Sequence, residues 1–548
     1  MTQQHKARRQ LRRIAHEKFG YENLRPGQEP AIQAVIDGHD TLAVMPTGSG
    51  KSMIYQAAGL LMHGPTIIVS PLIALQRDQV ESIEEQQVGS AALLNSTIHA
   101  GEWREVIESF NHGNLQFLFL APEQFNNEET LAQLKAAHPT LFVVDEAHCI
   151  SEWGHDFRPE YLRLGSVIEE LGHPRVLALT ATAALPVRTE ILERLNMRDP
   201  RVVVQGFDRP NIWLGVEMFH DETQKMQALV ERVASAEKPG IVYVATRKHA
   251  EEVAHALQAH NEKALFYHAG MKTKERHAVQ QAFMDGEVDV IVATTAFGMG
   301  VNKENVRFVY HYDISDSVDS YYQEIGRAGR DGIDAGAILF YDPKDLGLQQ
   351  FLTGSGKIDA DQVELVTTVI QEHGEPVSPG ELREELHLSE TKLMQILTSL
   401  EEIGVVEMLP NGDVAPADHP PDLSEVKDSA MQMQQSRRQF DQSRIDMMRG
   451  YAETTDCRRG YLLNYFGEPF EGRCGFCDNC DAGISEAENT ENEPFPLNSR
   501  VIHRTWGEGL VLRYENGKMV ILFDEVGYKT LAVDIVIEKG LLEPVQEE

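Results

Sequence analysis

Long apolar runs are missing from this 548-residue chain. No stretch approaches the ~18 apolar residues that a membrane-crossing helix needs, so no segment is expected to span a bilayer. The basic start MTQQHKARRQLRR leads into neither an apolar core nor a small-residue cleavage site, which argues against a secretory signal. Cysteine is scarce as well: 5 residues in the chain. With no export signal, so few argue for reduced thiols or a metal site rather than a disulfide frame. Basic residues are outnumbered, 50 Lys and Arg against 85 Asp and Glu, for a net charge of −35. That balance speaks against a protein that coats nucleic acid, though not against a local basic groove. What is present, 42% hydrophobic and 25% charged residues, is an ordinary soluble composition and excludes collagen-like or wholly disordered chains. The length exceeds one hydrophobic core and predicts three to five domains.

Residues 24 to 200 alternate β-rich apolar runs with helical stretches, the pattern of a parallel sheet with crossover helices. The strand-like runs include Thr41–Met45, Thr66–Ser70, Leu115–Ala121, Leu141–Val144 and Val176–Thr180. The pattern then recurs at Gly240–Val244, Lys263–His268, Asp289–Thr294, Val306–Tyr312 and Gly336–Tyr341, with the turn-rich GFDRPNI (Gly206–Ile212) between the sets. Two similar α/β lobes, 1–205 and 206–345, are therefore expected. Residues 355–418 read as three helices and a short hairpin, a winged-helix-like unit, with a plain helical bundle as the alternative. Residues 420–482 read as a helical segment carrying cysteines, and 483–497 as an acidic linker. The tail, 498–548, alternates apolar and polar residues around turns at Asn516-Gly517 and Gly527, which predicts a small antiparallel β-barrel.

The strongest local signal is Met45-Pro-Thr-Gly-Ser-Gly-Lys51-Ser52, set between the apolar TLAVM and the helical SMIYQAAGLL. Glycines let backbone N–H groups converge on phosphate oxygens, and the following helix N-terminus adds a favourable dipole. Thr47, Gly48, Ser49 and Gly50 would cradle the phosphates, Lys51 would reach the β/γ-phosphates and Ser52 would coordinate magnesium. Met45 stands where the general pattern has its first glycine, and an ordinary Gly-rich turn is the alternative. Asp145-Glu146-Ala147-His148 follows the apolar LFVV, which puts two carboxylates at a strand end. Asp145 is expected to hold magnesium and Glu146 to act as general base on the attacking water; a solvated loop is the alternative.

Arg327 and Arg330, in QEIGRAGRDG of the second lobe, could stabilise charge developing on a γ-phosphate. In Arg25-Pro-Gly-Gln28 the glutamine amide can pair with the N6/N7 edge of adenine while Tyr21 stacks on the ring, selecting ATP over GTP. Cys457, then Cys474-x-x-Cys477-x-x-Cys480, is a spacing that suits a tetrahedral zinc site, with two disulfides as the alternative. A closed four-thiolate site is structural rather than catalytic. Cys149 has no cysteine neighbour in sequence and is expected to be a buried thiol.

Taken together, FGYENLRPGQ, VMPTGSGKS, SPLIALQRDQV, DEAHCISEWGHDFRPEYLRLG, LTATA, GFDRPNI, YHAGM, ATTAFGMGVNK and SYYQEIGRAGRDG resemble the RecQ family of superfamily-2 DNA helicases, in family order. CRRGYLLNYFGEPFEGRCGFCDNC resembles that family's zinc module, and the likeness covers roughly two-thirds of the chain. It implies two RecA-like lobes with ATP between them, magnesium and zinc as cofactors, and ATP hydrolysis coupled to 3′→5′ movement on single-stranded DNA and to duplex unwinding in repair or recombination. Tyr21, Arg25 and Gln28 fall on the family's adenine motif, Lys51, Ser52, Asp145 and Glu146 on its hydrolysis motifs, and Arg327 and Arg330 on its last motif, with Arg330 the first choice for an arginine finger.

Ser151–Pro159 matches the family's aromatic-rich loop, where Trp153 and Phe157 offer stacking faces for bases and Arg158 a charge, while His155 and Asp156 would fix the loop. Thr180 and Thr182 are read as coupling residues, and Arg247, His268, Thr294, Gly298 and Gly300 as phosphate or DNA contacts. Single-stranded and tailed or forked DNA are the implied partners, at the cytoplasmic nucleoid, with no membrane involved. The order departs from the family's bacterial arrangement, because the winged-helix-like unit precedes the cysteines. The tail resembles the Tudor- or SH3-like barrels of some other bacterial helicases, which could serve a protein partner such as RNA polymerase, or DNA. Two other readings remain open: a DNA-stimulated translocase or annealing ATPase with little unwinding, and a non-catalytic DNA-bound adaptor.

Overall fold

The computed structural model describes residues 3–71, 73–95, 100–151, 157–298, 301, 303–353, 359–409, 412–417, 421, 423–470, 472–484, 493–515 and 517–545. The chain forms two units. One comprises Met1–Gln205 and Gly356–Gln435, the other Gly206–Ser355 and Ser436–Glu548, and the division falls inside a single helix, Leu423–Glu453.

In the first unit seven short strands form one parallel sheet: β1 (Thr41–Val44), β2 (Thr66–Val69), β3 (Ala91–Leu94), β4 (Phe117–Leu120), β5 (Leu141–Val144), β6 (Arg175–Thr180) and β7 (Arg201–Val204). Their order is β3-β4-β2-β5-β6-β1-β7. β1, β2, β4 and β5 are buried along their whole length, as central parallel strands covered by helices on both faces must be. β3 and β7 are absent from the sequence-based set. Ala-Ala-Leu-Leu favours helix in isolation, and mostly exposed Arg-Val-Val-Val lies on the sheet edge; each becomes a strand by pairing with β4 or β1.

The same unit holds the helices Ala360–His373, Pro379–Leu386 and Glu390–Glu402, followed by an antiparallel hairpin of β14 (Val406–Met408) and β15 (Val414–Pro416). Pro379 starts its helix behind a Ser378/Glu381 capping box, and Ser389 caps the next. Val366, Ile370, Leu382, Ile396, Leu397 and Val414 give this part its own core.

The second unit holds a six-stranded parallel sheet of β8 (Ile212–Met218), β9 (Gly240–Tyr243), β10 (Ala264–Tyr267), β11 (Val290–Ala293), β12 (Phe308–His311) and β13 (Ala335–Tyr341), ordered β10-β11-β9-β12-β13-β8. β8 is a second correction: the segment after GFDRPNI is a full strand registered on β13 from Ile212↔Ala335 to Met218↔Tyr341. Its free edge is sealed by the cysteine segment. Leu214 bridges Cys477, the Val216 N–H donates to Asp478 Oδ2 at 2.8 Å, and Trp213 Nε1–H donates to Asp481 Oδ2 at 2.8 Å.

The C-terminal strands are β16 (Arg500–His503), β17 (Gly507–Glu515), β18 (Lys518–Phe523), β19 (Gly527–Ala532) and β20 (Leu542–Pro544), antiparallel in the order β19-β18-β17-β16-β20. This is a five-stranded sheet and not a closed barrel, since β19 and β20 are not paired with each other among the described residues. The helix Val533–Lys539 joins them and inserts Val533 and Val536 into the core formed with Val501, Val511, Ile521 and Phe523. A helix thereby covers the core where a barrel would need a closing ladder. The expected turn residue Asn516 lies outside the described residues. No helix among the described residues is long and apolar enough to cross a membrane.

Candidate nucleotide site and metal centre

Within the first unit, β5, β6 and β1 are neighbours, and the carboxyl end of each carries one of the sequence signals. Ligands of open α/β sheets collect at such strand ends. β1 runs into the loop 45–50, which turns through Gly48 (φ 80°) and Gly50 (φ 80°) to start the helix Lys51–Met62. These are left-handed conformations that favour glycine. A side chain at Gly50 would also strike the Gln28 amide, whose Nε2 would lie 2.6 Å from the added Cβ.

That amide is fully engaged by the loop. Gln28 Nε2 donates to the Ser49 and Gly50 carbonyls, both at 3.1 Å, its Oε1 accepts the Arg25 N–H at 2.8 Å, and Arg25 Nη1 donates to the Gly48 carbonyl. Gln28 is wholly buried, so here it braces the phosphate loop instead of turning its amide outward. Tyr21 is partly buried and stacks on Phe19 at 6.3 Å. Thr47 is half-buried and Gly48 exposed, while the buried Ser49 Oγ has no hydrogen-bond partner among the described residues. Lys51 Nζ donates to the Met45 carbonyl at 3.1 Å.

Two strands away, β5 leads into Asp145. Burial and the charge of Glu146 push its carboxyl up to about 7, against the opposing pull of Lys51. A carboxylate so short of counter-charge suits a cation, and Ser52, in the first turn of the helix after the phosphate loop, supplies a hydroxyl to the same end of the sheet. Glu146 sits in the left-handed region (φ 48°), its carboxylate 3.4 Å from His148 Nδ1. His148 Nδ1 also lies 2.9 Å from Thr180 Oγ1, and Thr180 Oγ1 donates to the Thr182 carbonyl at 2.9 Å. The wholly buried His148 thus lies between Glu146 and the end of β6, hydrogen-bonded to Thr180 while Glu146 Oε2 makes no hydrogen bond among the described residues, a neighbourhood that sequence reasoning missed although the histidine stands within the motif it used. Thr182 Oγ1 is buried and unpartnered among the described residues.

Of the aromatic-rich loop, Trp153, His155 and Asp156 lie outside the described residues, as does Gly300 further on. Phe157 and Arg158 are partly buried, and Arg158 Nη1 donates to the Pro71 carbonyl at 3.2 Å. Cys149 is buried, as expected, with its Sγ 3.9 Å from His148 Nε2.

In the second unit the helix Val318–Ile325 leads through Gly326 into the turn that carries Arg327 and Arg330. Arg327 is buried and donates to the Gly298 carbonyl, while Arg330 Nη1 donates to the Val301 carbonyl at 2.9 Å. The turn is held by residues of GFDRPNI, which by residue type reads as a turn-rich linker and whose contacts the sequence does not show. Arg209 donates to the carbonyls of Gly326 (3.0 Å), Ala328 (2.7 Å) and Gly329 (3.2 Å), and Asn211 Nδ2 to those of Gly329 (2.8 Å) and Ile333 (2.9 Å). Arg459 in turn grips Asp208 at 3.0 Å and the Ile212 carbonyl at 2.7 Å. No local pattern could have announced these contacts. Elsewhere in this unit, Arg247 is exposed at the start of its helix, and the buried His268 pairs with Glu251 at 3.2 Å. Thr294, half-buried, donates its N–H to the Tyr267 carbonyl.

The sulfurs of Cys457, Cys474, Cys477 and Cys480 all lie within 4.8 Å of one another. Cys474 and Cys480 are 3.9 Å apart, far beyond a disulfide bond and close to the about 3.8 Å edge of a tetrahedron with Zn–S bonds of about 2.3 Å. Hydrogen bonds among the crowded thiols lower the Cys457 thiol and raise that of Cys474, as neighbouring sulfurs that share a proton do. The donor set therefore fits zinc, and all four thiols are free of disulfides.

Three family models match the chain: DEAD/DEAH box helicase over residues 25–191, helicase conserved C-terminal domain over 224–332, and RecQ zinc-binding over 420–481. The chain is 34% identical to the probable ATP-dependent DNA helicase RecS of Bacillus subtilis, over 89% of this chain and 96% of that one. It is 43% identical to the ATP-dependent DNA helicase RecQ of Pasteurella multocida over 61% of this chain, but spans only 52% of that longer protein. Among solved structures, the DUF1998 helicase MrfA bound to DNA shares the fold with a TM-score of 0.53 at 17% identity, over 76% of this chain and 63% of the other.

Proposed function

The chain belongs to the RecQ family of ATP-dependent DNA helicases, and from that premise we propose that it moves 3′→5′ along single-stranded DNA and opens tailed or forked duplexes in repair or recombination at the nucleoid. The observation that carries this reading is the convergence of three signals on adjacent strand ends: the phosphate loop after β1, Thr180 at the end of β6 and Asp145-Glu146 after β5. In this reading the loop N–H groups of Thr47 to Gly50 receive the phosphates of ATP, Lys51 meets the β/γ-phosphates, and Tyr21, Arg25 and Gln28 form the adenine end of the site, with Arg25 and Gln28 also bracing the loop. Ser52 and Asp145 would hold magnesium, which neutralises charge on the phosphate oxygens when bound. Glu146 takes the proton of the attacking water, and Arg327 and Arg330 answer the charge that develops on the γ-phosphate.

Coupling to DNA runs through Trp153, His155, Phe157 and Arg158, and then through the Glu146–His148–Thr180–Thr182 chain. The helix–hairpin unit of residues 360–416 is read as a winged helix that supports DNA binding. The C-terminal five-stranded sheet is read as a module with a face for a protein partner. Cys457, Cys474, Cys477 and Cys480 would bind zinc, which stabilises their segment without entering the chemistry.

The test is an unwinding assay on duplexes carrying a 3′ tail, a 5′ tail or a fork, run beside ATP hydrolysis with and without single-stranded DNA. Opening of the 3′-tailed and forked substrates, with hydrolysis raised many-fold by DNA, is expected. Strong DNA-stimulated hydrolysis with no substrate opened would replace the helicase reading by that of a translocase.

A further inference from the structure

The C-terminal sheet packs on the rest of the second unit through buried side chains, and the contacts lead to one place. Tyr528 of β19 is buried, stacks on Tyr465 at 5.4 Å with the rings 22° apart, and donates its N–H to Ser443 Oγ at 3.0 Å. Tyr465 in turn donates its hydroxyl to Asp319 Oδ2. Asp319 lies in the first turn of the helix Val318–Ile325, which runs directly into Arg327 and Arg330. A second ladder runs alongside. Arg513 of β17 lies over the Tyr461 ring, its Cζ 3.5 Å from the centroid, Tyr461 meets Tyr451 edge-on at 5.7 Å, and Tyr451 packs on Tyr321 of the same helix at 4.9 Å, with the two hydroxyls 3.2 Å apart.

The fit at the junction is tight. Gly527 (φ 71°) lets β19 approach so closely that an added Cβ would lie 2.4 Å from Ser443 Oγ and 3.1 Å from Phe440 Cα. Two independent ladders of buried aromatic and charged groups are far more than an appended recognition module needs, because such a module can hang from a polar linker. Interiors packed in this way transmit a displacement at one end to the other.

We propose that the C-terminal sheet is a working part of the motor: Tyr528 and Arg513 are positioning residues that hold the helix Val318–Ile325, and through it the arginine turn, in its hydrolysis-competent pose. This rests on the reading of Arg327 and Arg330 given above. A ligand that shifts the sheet would therefore change the rate of hydrolysis with no contact at the nucleotide.

The experiment compares Tyr528→Ala, Tyr528→Phe, Tyr465→Phe and Arg513→Gln in the full chain, measuring kcat and KM for DNA-stimulated ATP hydrolysis, DNA affinity and zinc content. Wild type and Lys51→Ala mark full and background turnover, so a failure of the ATPase reading itself would show in those two alone. Tyr528→Ala is expected to lower kcat about tenfold or more while KM, DNA affinity and zinc stay unchanged. Tyr528→Phe keeps the stacked ring and should retain wild-type turnover, whereas Tyr465→Phe, which loses only the hydroxyl on Asp319, should fall between. If Tyr528→Ala does not fold, Arg513→Gln, which takes the guanidinium off the Tyr461 ring, takes its place with the same expectation for kcat. Unchanged kcat in a folded Tyr528→Ala or Arg513→Gln protein overturns the proposal, as does an equal loss in Tyr528→Phe.

Discussion

The phosphate loop of the first unit and the arginine turn of the second are built in opposite ways. The loop is supported from nearby in sequence: Arg25 and Gln28 stand 21 to 23 residues from the carbonyls they hold. The arginine turn is supported from far away, by Arg209 at 117 to 120 residues, by the Tyr451 pairing with Tyr321 at 130 and by the Tyr465 hydroxyl on Asp319 at 146. A locally built site can lose its chemistry and keep its fold. A site assembled over long range ties its chemistry to the integrity of everything around it.

If that contrast holds, removing a zinc ligand has the largest consequence. Cys477 is wholly buried and bridges β8, so Cys477→Ala should take zinc from one ion per chain to none and abolish cooperative unfolding of the second unit. Structural zinc is worth on the order of 10 kcal/mol in small modules. Elemental analysis beside thermal melting reads both, and an intact melt without zinc would contradict the long-range view.

Next comes Lys51→Ala, which should lower ATP hydrolysis by about 10²–10³-fold, measured as phosphate release, while the melting profile stays within about 0.5 kcal/mol of wild type. A large loss of stability there would erase the distinction between the two sites. Arg209→Ala should do both kinds of damage on a smaller scale. It leaves three carbonyls without their donor, lowering the stability of the second unit by about 1–3 kcal/mol and kcat with it. Arg209→Lys should not restore kcat, because a point charge cannot reproduce the planar fork. The smallest effect is expected for Gln28→Ala, where loosening the loop by about 1 kcal/mol should raise the KM for ATP roughly fivefold in steady-state kinetics and leave kcat close to wild type.

The same contrast explains what could be read in advance. Phosphate loop, carboxylate pair and cysteine cluster each lie within one short stretch, where residue type and spacing carry the geometry, and they were visible in the sequence. The central strands were visible too, because a strand buried on both faces must be apolar throughout. β3 and β7 escaped notice because four residues of helix-favouring or solvent-exposed character become strands only when a partner is present. β8 was hidden behind GFDRPNI, whose polar residues suggest a linker and in fact grip the arginine turn. The C-terminal alternation announced strands, but a two-residue period says nothing about whether the first and last of them meet; that was decided by Val533 and Val536, which sit in the core from a helix. Arg459 could not be singled out at all, since its partners Asp208 and Ile212 lie some 250 residues upstream.

The sealing of β8 by the cysteine segment has a bearing on how the protein survives its own synthesis. The sheet of the second unit is complete in sequence at Tyr341, well over a hundred residues before Cys477 emerges from the ribosome. Until that segment arrives and captures its ion, the flank of β8 is a row of bare amides and carbonyls, open to any other extended chain. In cells short of zinc, the first symptom should be insoluble protein rather than a slow enzyme.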